Sequence, residues 1–332
     1  MIYKKPTFEF NSVFAPYIRD YIELRESLGA KFCVQSGVLR QFDRYCVRQG
    51  CAEPLVEADL VSDWISESQS QSSSTLAHRT SILKCFSDYM RSVGCLVTWN
   101  PYPGYCAQKE RYIPYIFTED EMVRIFRVAN NLGKPKGRSM FHLVFPAILK
   151  VLYCCGLRVS EALELRVRDV DLDKGLLFIE NSKFDNCRRL PISASLLETL
   201  RVYAEANKNS IGIAAEGFFF PNSLGEKYSQ RTVYDKFRTV LWQSDIPHQG
   251  QGKGPRVHDL RHTFAVRSLQ KNVAEGKDIY VSLPILMSYL GHSKITSTEK
   301  YLRLTAEVYP EFLETAASVC AAILPEVTGY EE

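Results

Sequence analysis

The sequence predicts a mainly α-helical protein with one small antiparallel β-sheet, folded as two domains. Three observations carry that expectation. Through most of the chain apolar residues recur at three- and four-residue steps, the spacing of helices that bury one face. A Pro- and Gly-rich break over residues 99–115 separates two such regions. One stretch, 167–192, replaces that spacing with short extended runs around a tight turn. At 332 residues the chain is too long for one ordinary core and comfortable for two.

The first region, residues 1–100, reads as four helices. Phe14, Ile18, Ile22 and Leu28 mark an amphipathic segment that ends near Gly29. A second runs from about Val34 to Val47, with Gly50 behind it, and a short third runs from Glu57 to Ile65. The polar run Ser66 to Ser74 is a loop whose last serines can cap a fourth helix. That helix carries Leu76, Ile82, Leu83, Phe86, Tyr89 and Met90 and stops at Gly94. Trp99-Asn100-Pro101-Tyr102-Pro103-Gly104 and Pro114 cannot continue a helix, so residues 101–115 are expected to be a linker.

The second domain is expected over residues 116–332. Thr118-Glu119-Asp120-Glu121 has the form of a helix start, a capping hydroxyl followed by carboxylates in the first turn. Val144, Ile148, Val151 and Cys155 share one face of a core helix. Val167–Leu172, Leu176–Glu180 and Arg188–Ile192 read as three short strands, the first two joined by Asp173-Lys174-Gly175. From about residue 196 the helical spacing returns, and no internal repeat interrupts it.

Composition removes several function classes. No apolar run approaches the ~20 residues that span a bilayer, and the N-terminal Met1-Ile2-Tyr3-Lys4-Lys5-Pro6 is not followed by a signal core. A cytoplasmic, nucleoid-associated protein is the expectation. The ten cysteines include no C-x-x-C pair, so they read as small hydrophobes rather than zinc ligands. Net charge is only +3. Residues 1–110 carry 12 Lys/Arg and 12 Asp/Glu, which cancel, whereas residues 226–272 carry nine against four, a local +5 that would suit a phosphate backbone.

Five short stretches of the second domain hold the residues that do chemistry. In Cys155-Gly156-Leu157-Arg158-Val159-Ser160-Glu161, Gly156 ends one helix and Ser160 can cap the next. Arg158 then sits beside a helix N-terminus, where free N–H groups and a guanidinium suit an oxyanion. In Glu180-Asn181-Ser182-Lys183-Phe184, Lys183 falls at a predicted hairpin tip, from which a long ammonium can reach a phosphate or a leaving oxygen. In Arg256-Val257-His258-Asp259-Leu260-Arg261-His262, His258 and Arg261 share a helix face. Zinc is the competing reading there, because His258 and His262 stand four apart around Asp259. It fails because Asp is a methylene short of the required Glu, Arg261 would sit beside a dication, and no clear third ligand follows. Leu290-Gly291-His292 places a histidine in a turn, and a short helix starting at Thr296 or Ser297 bears Tyr301.

Singly these are ordinary surface features; as an ordered set they are specific. The order Arg158, Lys183, His258-x-x-Arg261, Gly291-His292, Tyr301 resembles the tyrosine recombinase (phage integrase) family, over about residues 112–322. The resemblance implies an α+β catalytic domain preceded by a helical core-DNA-binding domain, and a C-shaped clamp on double-stranded DNA carrying paired inverted core sites. It also implies a homo-tetramer on DNA and a 3′-phosphotyrosyl intermediate with a free 5′-hydroxyl. Arg158 and Arg261 would clamp the non-bridging oxygens, and Tyr301 would be the nucleophile. His258 is the candidate base, Lys183 the candidate acid and His292 a hydrogen-bond partner of the phosphate. Two arginines would do the work of a metal, and the bond energy stored on the enzyme would replace ATP, so no cofactor is expected. Candidate DNA contacts are Arg79, Lys84 and Arg91 in the first domain and Lys227, Arg231 and Lys236 in the second.

After Tyr301 the chain continues for about thirty residues, in which Val308, Phe312, Ala316, Val319 and Ile323 form one apolar stripe. It can fold back on its own domain; the resemblance implies docking into a neighbouring subunit. Two alternatives stand beside recombination: DNA relaxation of the type IB topoisomerase kind, and a catalytically idle DNA-binding protein.

Overall fold

The computed structural model describes residues 9–30, 32–67, 73–100, 113–134, 140–180, 187–208, 215–247, 254–292, 298, 300–302 and 304–305. The chain divides into two compact units, Met1–Tyr112 and Ile113–Glu332. It is mainly helical with one three-stranded antiparallel sheet, the fold class the sequence predicts.

The first unit contains α1 (Ala15–Ser27), α2 (Cys33–Gln49), α3 (Ala58–Ser66) and α4 (Ser73–Ser92). Their inward faces meet in an aromatic-rich core of Phe14, Tyr21, Phe42, Trp64, Phe86 and Trp99. Asp43 is buried there and accepts from the backbone N–H groups of Asn11 and Ser12, both at 3.0 Å, which ties the entry of α1 to α2. α2 ends at Gly50 in the left-handed conformation, φ 65°.

In the second unit, α5 (Glu119–Asn130) opens with the predicted cap. Thr118 Oγ1 accepts from the Glu121 N–H at 3.2 Å, and Glu121 accepts from the Thr118 N–H at 2.8 Å. α6 (Phe141–Cys155) is the central helix. Val144, Phe145, Ile148, Leu149, Val151 and Leu152 are all buried, and α6 packs against α5, α7 (Val159–Glu164), α8 (Ala194–Ala206) and α10 (Asp259–Ala274). Pro146 lies inside α6 at its sixth position, past the N–H groups that lack partners at a helix start, so it removes one i→i−4 hydrogen bond from the ladder.

The sheet is shorter than expected at its first strand. Val167–Asp169 form a 3-10 turn, closed by Asp169 accepting from the Arg166 N–H at 2.8 Å. That leaves a two-residue β1, Val170–Asp171. β2 (Leu176–Ile179) pairs with both neighbours, and β3 (Arg188–Pro191) lies opposite it with Ile179 facing Arg188. α9 (Gln230–Gln243) and α11 (Ile279–Leu290) are the remaining regular elements among the described residues, and Thr298, Lys300, Tyr301, Leu302, Leu304 and Thr305 are helical. Among the described residues, no helix is long and apolar enough to cross a membrane.

Candidate active site

Four chain segments converge around one buried arginine. Arg261, on the first turn of α10, is only 1% exposed. Its Nη1 donates to the Gly156 carbonyl and its Nη2 to the Leu290 carbonyl, each at 2.8 Å. Those carbonyls belong to the ends of α6 and α11, where the helix dipoles are negative and C=O groups lack intrahelical partners. A guanidinium is thereby accommodated in the core by two helix C-termini. Both ends require glycine. Gly156 and Gly291 have φ of 59° and 67°, and a Cβ on either would strike a neighbour, Phe264 at 2.5 Å or Arg188 at 2.7 Å.

Arg158 reaches the same place from the turn after α6. It is the residue before α7, and Ser160, expected as the cap, lies inside that helix. Extended backbone at Arg158, φ −70° and ψ 149°, starts the helix without a capping hydroxyl because Glu161 takes over, accepting from the Arg158 N–H at 2.9 Å. Glu161 also accepts from Arg158 Nη1 at 2.7 Å and from Arg188 Nη2 and Nη1 at 2.8 and 3.3 Å, and its Oε2 lies 3.8 Å from Arg261 Nη1. One carboxylate thus organises three arginines. Burial works against its charge, but the Arg188 and Arg158 interactions outweigh burial and hold its pKa below the usual range.

His292 follows α11 and stacks on Tyr301, the ring centroids 6.1 Å apart with planes 13° from parallel. Its Nε2 lies 2.9 Å from Arg261 Nη2. A guanidinium can only donate, so Nε2 accepts and the proton resides on Nδ1, which donates to Thr298 Oγ1 at 2.8 Å. Burial, with Arg261 and Arg158 nearby, pushes its pKa down to about 3. His258 stands at the N-terminus of α10, exposed at its edge yet crowded by protein; burial and then Arg261 lower its pKa to about 4. Both imidazoles are neutral near pH 7 and can accept a proton.

Tyr301 is fully buried. Burial raises its pKa, while the charge of Arg261, a hydrogen bond from it and the charge of Arg158 pull the other way without cancelling burial. The ring of His262, 4% exposed, lies 5.5 Å from Tyr301 and 4.9 Å from His258, edge-on to the latter. The Lys300 ammonium sits 5.2 Å from the Tyr301 ring centroid.

The structure therefore gathers Arg158, His258, Arg261, His292 and Tyr301. Lys183 lies outside the described residues, as do Thr296 and Ser297. Sequence reasoning missed Glu161, Arg188, His262 and Lys300 as members of the cluster. Glu161 had a signal, an acid at the third position of a helix; Arg188 had none, because its partner is brought to it by the sheet. Among the described residues no group of His, Cys, Asp and Glu is arranged to hold a metal ion.

The candidate DNA contacts divide. Arg79 requires a correction: it is 7% exposed, hydrogen-bonds Gln41 and lies 4.8 Å over the Trp64 ring, so packing within the first unit claims its guanidinium. Lys84 and Arg91 are exposed and pair with Asp88 at 3.4 and 2.7 Å. Lys227 pairs with Glu164 at 2.9 Å, Arg231 with Asp235 at 2.8 Å, and Lys236 is half-buried on α9. Arg231 also joins Arg158, Ser160, Tyr234, Arg256 and His258 in lining a groove of about 610 Å³.

Comparison with known proteins assigns the chain to a family. The model of the phage integrase family matches residues 116–307, more than half of the chain. A putative integrase/recombinase of Sinorhizobium fredii, y4rB, is 26% identical over 302 residues, covering 90% of this chain and 96% of its own. Tyrosine recombinase XerC of Xanthomonas axonopodis pv. citri is 31% identical over 194 residues, 58% of this chain and 55% of its own. Among solved structures, the XerH site-specific recombinase bound to difH substrate in a pre-cleavage complex superposes with a TM-score of 0.64 at 17% identity, covering 90% of this chain and 85% of that one. The Tn1549 transposon integrase in complex with a circular intermediate DNA gives 0.63 at 16% identity, over 87% and 94%. At such identities the structural likeness is one of fold.

Proposed function

The chain belongs to the phage integrase family of tyrosine recombinases, and from that premise we propose that it is a site-specific recombinase of the integrase or transposase kind, joining DNA to itself through Tyr301. Its general activity is the family's, recombination of DNA. The observation that carries the assignment to these residues is that Arg261 touches both His292 and Tyr301 while sharing Glu161 with Arg158.

In this reading a scissile phosphate enters beside Arg158, Arg261 and His292. The guanidiniums neutralise charge that builds on the two non-bridging oxygens, in a site already ordered before substrate arrives. When Arg261 Nη2 turns from His292 to the phosphate, the imidazole proton can pass from Nδ1 to Nε2, with Thr298 Oγ1 then donating to Nδ1, so that the Nε2–H donates to a phosphate oxygen. Tyr301 Oη attacks phosphorus and its proton passes to neutral His258. The bond from phosphorus to the 5′ oxygen breaks, and that oxygen takes a proton from Lys183. The products are a 3′-phosphotyrosyl bond and a free 5′-hydroxyl. Attack by a 5′-hydroxyl from a partner strand runs the same steps backwards and leads through a Holliday junction. The reading needs neither a metal ion nor ATP. Since Tyr301 is fully buried, its segment must shift before attack, which makes DNA binding a precondition of cleavage.

The helical first unit would be the core-DNA-binding domain, with Lys84 and Arg91 at the backbone. Lys227, Arg231 and Lys236 would serve the second unit, Arg231 from the groove it shares with Arg158 and His258. Four copies would assemble on paired inverted sites.

The test is covalent trapping. The full chain is incubated with sheared DNA that includes the sequence flanking its gene, then denatured, and protein-bound fragments are sequenced to recover the site. On nicked duplexes carrying that site, the unaltered chain should accumulate a denaturant-resistant adduct. Tyr301→Phe should form none and still shift the duplex on a native gel. A persistent adduct in Tyr301→Phe overturns the assignment, and the absence of any adduct from the unaltered chain favours an idle DNA-binding protein.

A further inference from the structure

Lys300 is the charged neighbour of Tyr301 that the ordered motif leaves without a role. Its backbone is helical, its side chain is exposed, and its ammonium lies 5.2 Å from the Tyr301 ring centroid, within cation–π range. Tyr301 faces Arg158 from the turn before α7, Arg261 and His262 from α10, and His292 from the turn after α11. Lys300 shares the field of that cluster: burial, Arg261 and Arg158 lower its pKa, and it helps keep His258, His262 and His292 neutral. Holding an ammonium among two guanidiniums is unfavourable in the free protein, and an arriving anion relieves it.

We propose that Lys300 is a further catalytic residue, whose ammonium stabilises the negative charge that develops on the Tyr301 oxygen as it attacks the DNA phosphate. The inference rests on Tyr301 being the nucleophile. Lys300 neither takes nor gives a proton in this step: the phenol proton goes to His258, and the ammonium acts by its charge. Geometry separates this role from that of the leaving-group acid. Attacking and leaving oxygens lie in line on opposite sides of phosphorus. A cation seated on the Tyr301 ring is on the attacking side, far from the 5′ oxygen. A cation against the ring attracts the negative charge of a phenolate, and Tyr301 needs such help because burial, the largest influence on its pKa, disfavours the ionised form.

The experiment is single-turnover cleavage of the nicked duplex at saturating protein from pH 6 to pH 9, with Lys300→Met and Lys300→Arg beside the unaltered chain. Lys300→Met should form the Tyr301 adduct about tenfold or more slowly at pH 7, with its pH–rate profile displaced upward by about one pH unit. Lys300→Arg, which keeps the charge, should stay within about threefold of the unaltered chain. On a duplex with sulfur replacing the bridging 5′ oxygen, Lys300→Met should remain slow, because a better leaving group does not help the attack. Cleavage by Lys300→Met at the unaltered rate and profile overturns the proposal. So does recovery of its rate on the sulfur duplex, which would make Lys300 the leaving-group acid in place of Lys183. Either result leaves the adduct on Tyr301 intact, whereas an adduct formed by Tyr301→Phe removes the nucleophile itself.

Discussion

Glu161 is one of 38 acidic residues in the chain, yet it holds the site's arginines in register. Its side chain and that of Arg188 are each 9% exposed, and Arg261 is 1% exposed. Removing one partner of a buried ion pair leaves the other uncompensated, which typically costs about 3–5 kcal/mol. Glu161→Gln keeps the shape and one acceptor oxygen but loses the charge. It should therefore lower the urea-unfolding stability by about 3 kcal/mol at pH 7 and slow adduct formation, since Arg158 and Arg261 lose their common anchor. A variant as stable as the unaltered chain would mean that the carboxylate is incidental to the fold. The effect should shrink as pH falls through the carboxylate's lowered pKa, because protonation there removes the same charge from the unaltered protein.

At the scale of one element, α10 concentrates more chemistry than any other helix described. It begins at His258, buries Arg261, His262 and Thr263, and anchors the extended segment before α5 by accepting from the Phe117 N–H at Thr263 Oγ1, 3.0 Å away. His262 pays for its position: among the described residues its buried Nδ1 has no hydrogen-bond partner, and burial followed by His258 pushes its pKa down to about 3. An unfolded histidine titrates near ~6.5. Between that value and about 3, the unfolded chain binds a proton that the folded chain refuses, so stability falls as pH drops. His258 and His292 contribute with the same sign. From pH 7 to pH 5 the loss through His262 is of order 2 kcal/mol. His262→Gln should flatten that part of the acid slope in urea titrations at the two pH values. An unchanged slope would show that His262 already titrates normally in the folded protein.

For the whole molecule the open question is assembly. The stripe Val308, Phe312, Ala316, Val319 and Ile323 lies outside the described residues, and its three- and four-residue spacing would place it on one helix face. It follows Tyr301 closely, so a neighbour that received it would also bias the position of the nucleophile, in a cyclic, head-to-tail arrangement. Truncation after Thr305 should leave binding to a single half-site intact, weaken occupancy of paired sites and abolish strand exchange. Mobility-shift titrations on one-site and two-site duplexes decide between this and packing in cis: equal pairing by the truncated and full chains would mean that the segment serves its own domain.

The sequence alone determined the helical class and the ordered set that marks the family, because both are local or linear properties. Periodicity locates helices, prolines interrupt them, and glycine with positive φ ends α6 and α11 one residue from where their spacing stops. The same locality explains the misses. Val167–Asp169 read as strand as part of the run Val167–Leu172, but the Asp169 carboxylate closes a turn there instead. Arg79 read as a surface cation because charge on a helix is usually solvated, yet Trp64 and Gln41, from other helices, claim it. Arg188 gave no sign of its place because its partner Glu161 is 27 residues away in sequence. Tertiary structure decided which charges face one another and which groups leave water. Those two facts fix the protonation of His258, His262 and His292, bury Tyr301, and seat Lys300 upon its ring, since electrostatic strength depends on distance and solvent exclusion rather than on order along the chain.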